Sequence, residues 1–269
     1  MGSFGTFAQG PLPLQYEGIG IDEQLGDYVS PETRFRDSAG REVTIGDYLN
    51  QGRPVVISFV YHNCPMLCSL ILDGLSNQLS RTSLAAGTDF EVLSISFDPR
   101  EGPDRSAEAR DRYLARTPER DDLVNNWHFL TGSQEAIDQI TNETGFKVRW
   151  IEEQQDFAHA AGLIFLSPSG QIARYLYGIE FPDQDFRYAA LEAGRGSIGS
   201  AVDRLLLFCY IYDAEAGTYM ISMARLIMTI GGGIFLLALV GGLGGLWLRE
   251  IRHPRVRPED LDLGLAPTA

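Results

Sequence analysis

The spacing of apolar positions divides the chain into an alternation of strands and helices. Residues 55–60 (VVISFV) form a nearly unbroken apolar, β-branched run, the pattern of a strand buried on both faces. Beyond it the apolar positions change to helical spacing through Leu70, Ile71, Leu75 and Leu79. Residues 90–97 (FEVLSISF) repeat the buried-strand pattern and close on Asp98-Pro99. A charged amphipathic helix is expected over 104–116 and a short strand over 127–130. A further helix runs from Ser133, a favoured N-cap residue, to Glu143, with Gly145 at its end. A strand is expected over 146–151. Segments 161–166 (AGLIFL) and 171–177 (QIARYLY) flank a Ser-Pro-Ser-Gly turn and read as a hairpin. Residues 33–49 read as an earlier hairpin that turns at Ser38-Ala39-Gly40 and ends in a short helix near 47–49. Helices are expected over 185–193 and 197–208. This order predicts an α/β fold on a central mixed sheet flanked by helices.

One stretch departs from globular patterning. Residues 226–248 carry no charge over 23 positions, long enough to span a bilayer as a helix. Arg225 precedes the stretch, and Arg249, Arg252, Arg255 and Arg257 follow it. The positive-inside rule then puts the tail in the cytoplasm and the rest outside. The expected layout is an irregular leader (1–30), a main domain (31–195), a helical connector (196–225), a transmembrane helix (226–248) and a cytoplasmic tail (249–269). The expected site is the inner membrane, crossed once, with the main domain periplasmic. Such a domain needs an export signal, and Thr6-Phe7-Ala8 before Gln9 resembles the end of a cleavage site. The numbered chain is therefore expected to begin inside or just after a signal peptide.

Charge narrows the partners. The formal net charge of -14 opposes binding to nucleic acid, whose phosphates it would repel. Three cysteines, Cys64, Cys68 and Cys209, are too few for a disulfide scaffold. Cys64 and Cys68 follow the first buried strand and stand one helical turn apart. Pro65 suits a first helical turn. A helix N-terminus there favours the thiolate form. Such a pair closes a disulfide or chelates a soft metal. A peroxidase is disfavoured, since Tyr61-His62-Asn63 offers no hydroxyl of Ser or Thr just before Cys64.

The succession of strand, C-P-M-L-C, FDP ending at Asp98-Pro99, and a lone His159 shortly before LIFLSPSG resembles the SCO/SenC family. Members are thioredoxin-fold, membrane-anchored copper proteins that help to assemble the binuclear copper centre of cytochrome c oxidase. The resemblance covers about 33–193. It implies a thioredoxin-like sheet, copper as Cu(I) or Cu(II), and Cys64, Cys68 and His159 as ligands, with Asp98 beside them. Two thiolates and an imidazole suit copper in both states. The implied partners are the copper-bearing oxidase subunit and other periplasmic copper or thiol-disulfide proteins. Two positions differ from the usual pattern: Ser69 stands where proline often follows the second cysteine, and the expected anchor is C-terminal.

The main alternative is a thiol-disulfide reductase that keeps a partner's cysteines able to accept metal, with Cys64 and Cys68 as its redox pair. Asp156 is near enough in sequence to orient His159. His62 is read as a surface neighbour, with a supporting role as the alternative. His128 is read as strand packing and His253 as part of the tail. Cys209 with Met220, Met223 and Met228 is read as packing or lipid contact, with a transient second copper site as the alternative.

Overall fold

The computed structural model describes residues 19–62, 67–153, 155–194, 210–213, 218–221 and 223–252. The side chains of 67–68, 210–213, 218–221, 223–227, 229–230, 245–247 and 249–252 lie outside that description. So do the leader up to residue 18, the helix expected over 197–208, and the tail beyond 252.

The central sheet is built from the runs that the pattern marks. β4 (Val55–Val60), β5 (Glu91–Ser96) and β6 (Trp127–Leu130) pair in parallel. β9 (Gly162–Leu166) lies antiparallel to β4, and β10 (Ile172–Tyr177) lies antiparallel to β9. The order is β10-β9-β4-β5-β6, a mixed sheet as expected. Every residue of β4, β5 and β9 is buried. Burying one such apolar side chain contributes roughly 1.5–3 kcal/mol, which is why these runs tolerate few polar residues. Two of the polar exceptions satisfy each other. Ser58 and Ser94 face across the β4–β5 register with their hydroxyls 2.8 Å apart, and the Trp127 indole N–H donates to Ser94 Oγ at 3.0 Å.

Helices cover the sheet. α1 (Leu67–Arg81) packs on β4, α2 (Pro103–Leu114) on β6, and α5 (Asp183–Ala193) on β9 and β10. The short α3 (Leu123–Asn126) leads into β6. Gly74 lets α1 lie close to its neighbour: a Cβ there would stand 1.8 Å from the Ile179 carbonyl oxygen. The early hairpin is β2 (Arg34–Arg36) with β3 (Glu42–Thr44), followed by a 3-10 turn over Ile45–Tyr48.

A second, smaller sheet carries less apolar surface. β7 (Phe146–Ile151) pairs on one side with the two-residue β1 (Gly20–Ile21) and on the other with β8 (Asp156–His159), both antiparallel. α4 (Gln134–Glu143) precedes β7 and packs on it; Ser133 caps α4 by accepting from the Ala136 N–H at 3.3 Å, as expected. Gly145 ends the helix at φ +66°, and a Cβ there would meet the Asp22 carbonyl at 1.9 Å. β8 is not anticipated by the pattern, because its four residues are mostly half-buried and too few to show alternation.

Two short strands, β11 (Tyr210–Asp213) and β12 (Thr218–Ile221), precede α6 (Met223–Arg252). They divide between two compact units of the chain, the second of which includes all of α6. Among the described residues no helix is long and apolar enough to cross a membrane.

Candidate metal centre

Strand β4 ends at Val60 and hands the chain to Tyr61 and His62, beyond which lies Cys64. Residues 63–66 are outside the described residues, Cys64 and Pro65 among them. Helix α1 begins at Leu67, so Cys68 falls in its first turn, its side chain likewise outside. His159 is thus the one expected ligand whose side chain is described. Among the described residues no group of three His, Cys, Asp or Glu side chains is arranged to hold a metal.

His159 ends β8, opposite Val148 of β7, and is 7% exposed. Its ring packs on Phe97 at 4.9 Å and Phe146 at 6.1 Å between centroids. Nδ1 lies 2.7 Å from the Ala160 carbonyl oxygen. A carbonyl only accepts, so Nδ1 carries a proton and donates to it. The partner that orients the ring is therefore a backbone carbonyl. Asp156 faces elsewhere: its Oδ1 accepts from the Tyr61 hydroxyl at 2.5 Å and from the Phe157 N–H at 2.7 Å.

Two segments far apart in sequence, the end of β4 and strand β8, converge on the Phe97 ring. Tyr61, three residues before Cys64, lies 5.6 Å from it, Phe157 lies 5.4 Å away, and His159 is closest. Asp98 follows directly and is buried, 6% exposed. Its carboxylate receives the Arg100 guanidinium through two bonds of 2.7 and 2.8 Å and the Arg100 N–H at 3.0 Å. That pairing with Asp98 raises the Arg100 pKa above its ordinary value. The guanidinium also stands 4.9 Å over the Trp150 ring and 5.5 Å over Phe157, so it clasps the β7–β8 hairpin to the Asp98 loop.

His62 corrects the surface reading. It is buried, 3% exposed, with Nδ1 3.2 Å from Ser106 Oγ and Nε2 3.4 Å from the Ser94 carbonyl. Glu101 Oε2 lies 3.6 Å from Nδ1 and accepts the His62 backbone N–H at 2.7 Å and the Ser96 hydroxyl at 2.6 Å. Burial lowers the His62 pKa, with the Glu101 charge opposing the shift. Sequence spacing gives no sign of this cluster, because its members come from the turn after β4, from β5, and from α2 and the loop before it. His128 packs as expected, with its ring 4.6 Å from Tyr48 and Nε2 3.2 Å from Glu91 Oε2. Met228 is 72% exposed on α6. Cys209, His253 and the side chains of Met220 and Met223 lie outside the described residues.

The SCO1/SenC family model matches residues 22–192, well over half of the chain. The chain belongs to the SCO1/SenC family. The match extends upstream of the resembling motifs to take in Asp22, next to β1. No functionally curated protein matches the sequence. Among solved structures, one from Aquifex aeolicus VF5 shares 24% identity at a TM-score of 0.56, covering 63% of this chain and 94% of that one. BsSco, in which a disulfide switch was identified, is a member of the Sco family of cytochrome c oxidase assembly proteins. It shares 21% identity at a TM-score of 0.50, covering 65% of this chain and 97% of its own. ScoI of Bradyrhizobium japonicum, solved with copper bound, shares 21% identity at a TM-score of 0.45, covering 62% and 98%. The first two share with this SCO1/SenC chain a mixed α/β fold with a helix-flanked central sheet, in line with the expected thioredoxin-like architecture.

Proposed function

We propose that this SCO1/SenC protein is a membrane-anchored copper chaperone that carries one copper ion on Cys64, Cys68 and His159 and delivers it to the copper-bearing subunit of cytochrome c oxidase. The observation that carries the reading is His159. A buried imidazole whose Nδ1–H is committed to a backbone carbonyl is fixed in orientation in the way metal-ligating histidines are, with Nε2 the nitrogen that would meet the metal. The strand bearing it packs, through Phe97 and Tyr61, beside the chain that runs into Cys64. The donor set fits the cargo: two thiols at a helix start, where the thiolate is favoured, and one borderline nitrogen. Three protein ligands leave copper a position through which an acceptor can take it.

The anchoring rests on α6. Ile234, Phe235, Leu236 and Leu237 are exposed by 63%, 66%, 59% and 76%. Consecutive helical residues are about 100° apart, so these four point around the whole circumference. A helix apolar on all sides suits lipid better than water. The arginines beyond 248 support a cytoplasmic tail and a periplasmic copper domain.

BsSco's disulfide switch favours a second reading, in which Cys64 and Cys68 act as a thiol-disulfide oxidoreductase toward a metal-accepting partner. Reconstitution of the full chain in detergent with Cu(I) and Cu(II) separates the two. The copper reading expects one copper per chain and a thiolate-to-Cu(II) absorption band that is lost in both Cys64→Ala and His159→Ala. Thiol-disulfide exchange without stoichiometric copper, unaffected by His159→Ala, would contradict it.

A further inference from the structure

We propose that Tyr61 and Asp156 are positioning residues for copper, tying the strand that enters the cysteine turn to the strand that carries His159. This inference rests on the copper reading above. The donors belong to two separate hydrogen-bonded sheets: β4 leads to Cys64, and β8 ends in His159. An imidazole and two thiolates share one metal only if those sheets keep a fixed separation. β8 is held at its C-terminal end because β9, in the central sheet, starts at Gly162. Its N-terminal end is held by the Tyr61 hydroxyl, which donates to Asp156 Oδ1 at 2.5 Å.

The bond is placed for this task. Tyr61 lies three residues before Cys64 and Asp156 three residues before His159, so each end is within about 10 Å of chain from a donor. Asp156 Oδ1 also accepts the Phe157 N–H, which fixes the carboxylate to the start of its own strand. The Tyr61 ring packs against Phe97 at 5.6 Å and Phe157 at 5.7 Å. Those ring contacts resist separation but permit sliding, since apolar attraction is non-directional. A hydrogen bond to a carboxylate is directional and sets the register. Removing the hydroxyl alone leaves the ring cluster and the β7–β8 pairing in place and loosens the tie between Asp156 and the end of β4.

The test uses the full chain in detergent with two readouts: hydrogen exchange of the 156–159 segment without metal, and Cu(II) affinity by chelator competition. In Tyr61→Phe, exchange is expected to quicken about tenfold and copper affinity to fall on the order of tenfold, the scale of losing a group that orients a ligand. Asp156→Asn keeps an acceptor oxygen and is expected to stay within about threefold of the wild type in both. Wild-type copper affinity in Tyr61→Phe would overturn the positioning role while leaving the copper reading intact, whether or not exchange quickens. A wild-type chain that takes up no stoichiometric copper would overturn both.

Discussion

The two sheets of the main domain are held together differently. In the central sheet, every residue of β4, β5 and β9 is buried, and the strands are fixed by apolar burial on both faces. In the smaller sheet, β7 alternates between buried, half-buried and exposed, and three of the four residues of β8 are half-buried. Here individual interactions set the geometry: Tyr61 to Asp156, Arg100 to Asp98, and Arg100 over Trp150 and Phe157. The first sheet supplies stability and a rigid exit toward the cysteines. The second carries His159 on a strand with less apolar burial, the arrangement the proposed copper site would use.

Substitutions can break or sharpen this contrast. Ile57, fully buried between Leu93 and Ile164 in the register of the central sheet, should show the largest effect. Ile57→Ala is expected to cost about 2–5 kcal/mol in urea unfolding. Gly74→Ala drives a Cβ into the Ile179 carbonyl. Despite the gain in helix propensity, a net loss of about 2 kcal/mol is expected from the same measurement.

In the smaller sheet, Trp150→Ala removes contacts with Phe157 and Arg100 and should cost only about 1–2 kcal/mol. Arg100→Lys keeps the charge but loses the two-pronged grip on Asp98. A cost of about 0.5–1 kcal/mol is expected, because the side chain is largely exposed. Should Trp150→Ala prove as costly as Ile57→Ala, the two sheets would form one equally stable unit and the contrast would fail.

Legibility in the sequence follows the same division. β4, β5 and β9 were readable because burial on both faces forces continuous apolar runs. β6 and the β9–β10 hairpin were readable from their short apolar segments and turn residues. β8 was not, since half-buried positions leave the pattern little to work on. The burial of His62 was invisible for another reason: its partners Ser94 and Ser106 lie 32 and 44 residues away, and nothing local announces them. His159 stood out through its place in a family pattern rather than through spacing. The group that orients it, the Ala160 carbonyl, is main chain, so no residue type marks it, and the neighbouring Asp156 drew attention instead. The cysteine turn was the plainest signal in the sequence, a strand delivering two thiols to a helix.

The most direct test of the account is X-ray absorption at the copper edge on the copper-loaded full chain, wild type and His159→Ala. The account predicts two sulfur neighbours and one imidazole nitrogen in the wild type, with the imidazole signal lost in the variant and the fold retained. A wild-type spectrum with no sulfur neighbours, or one unchanged by His159→Ala, would contradict it.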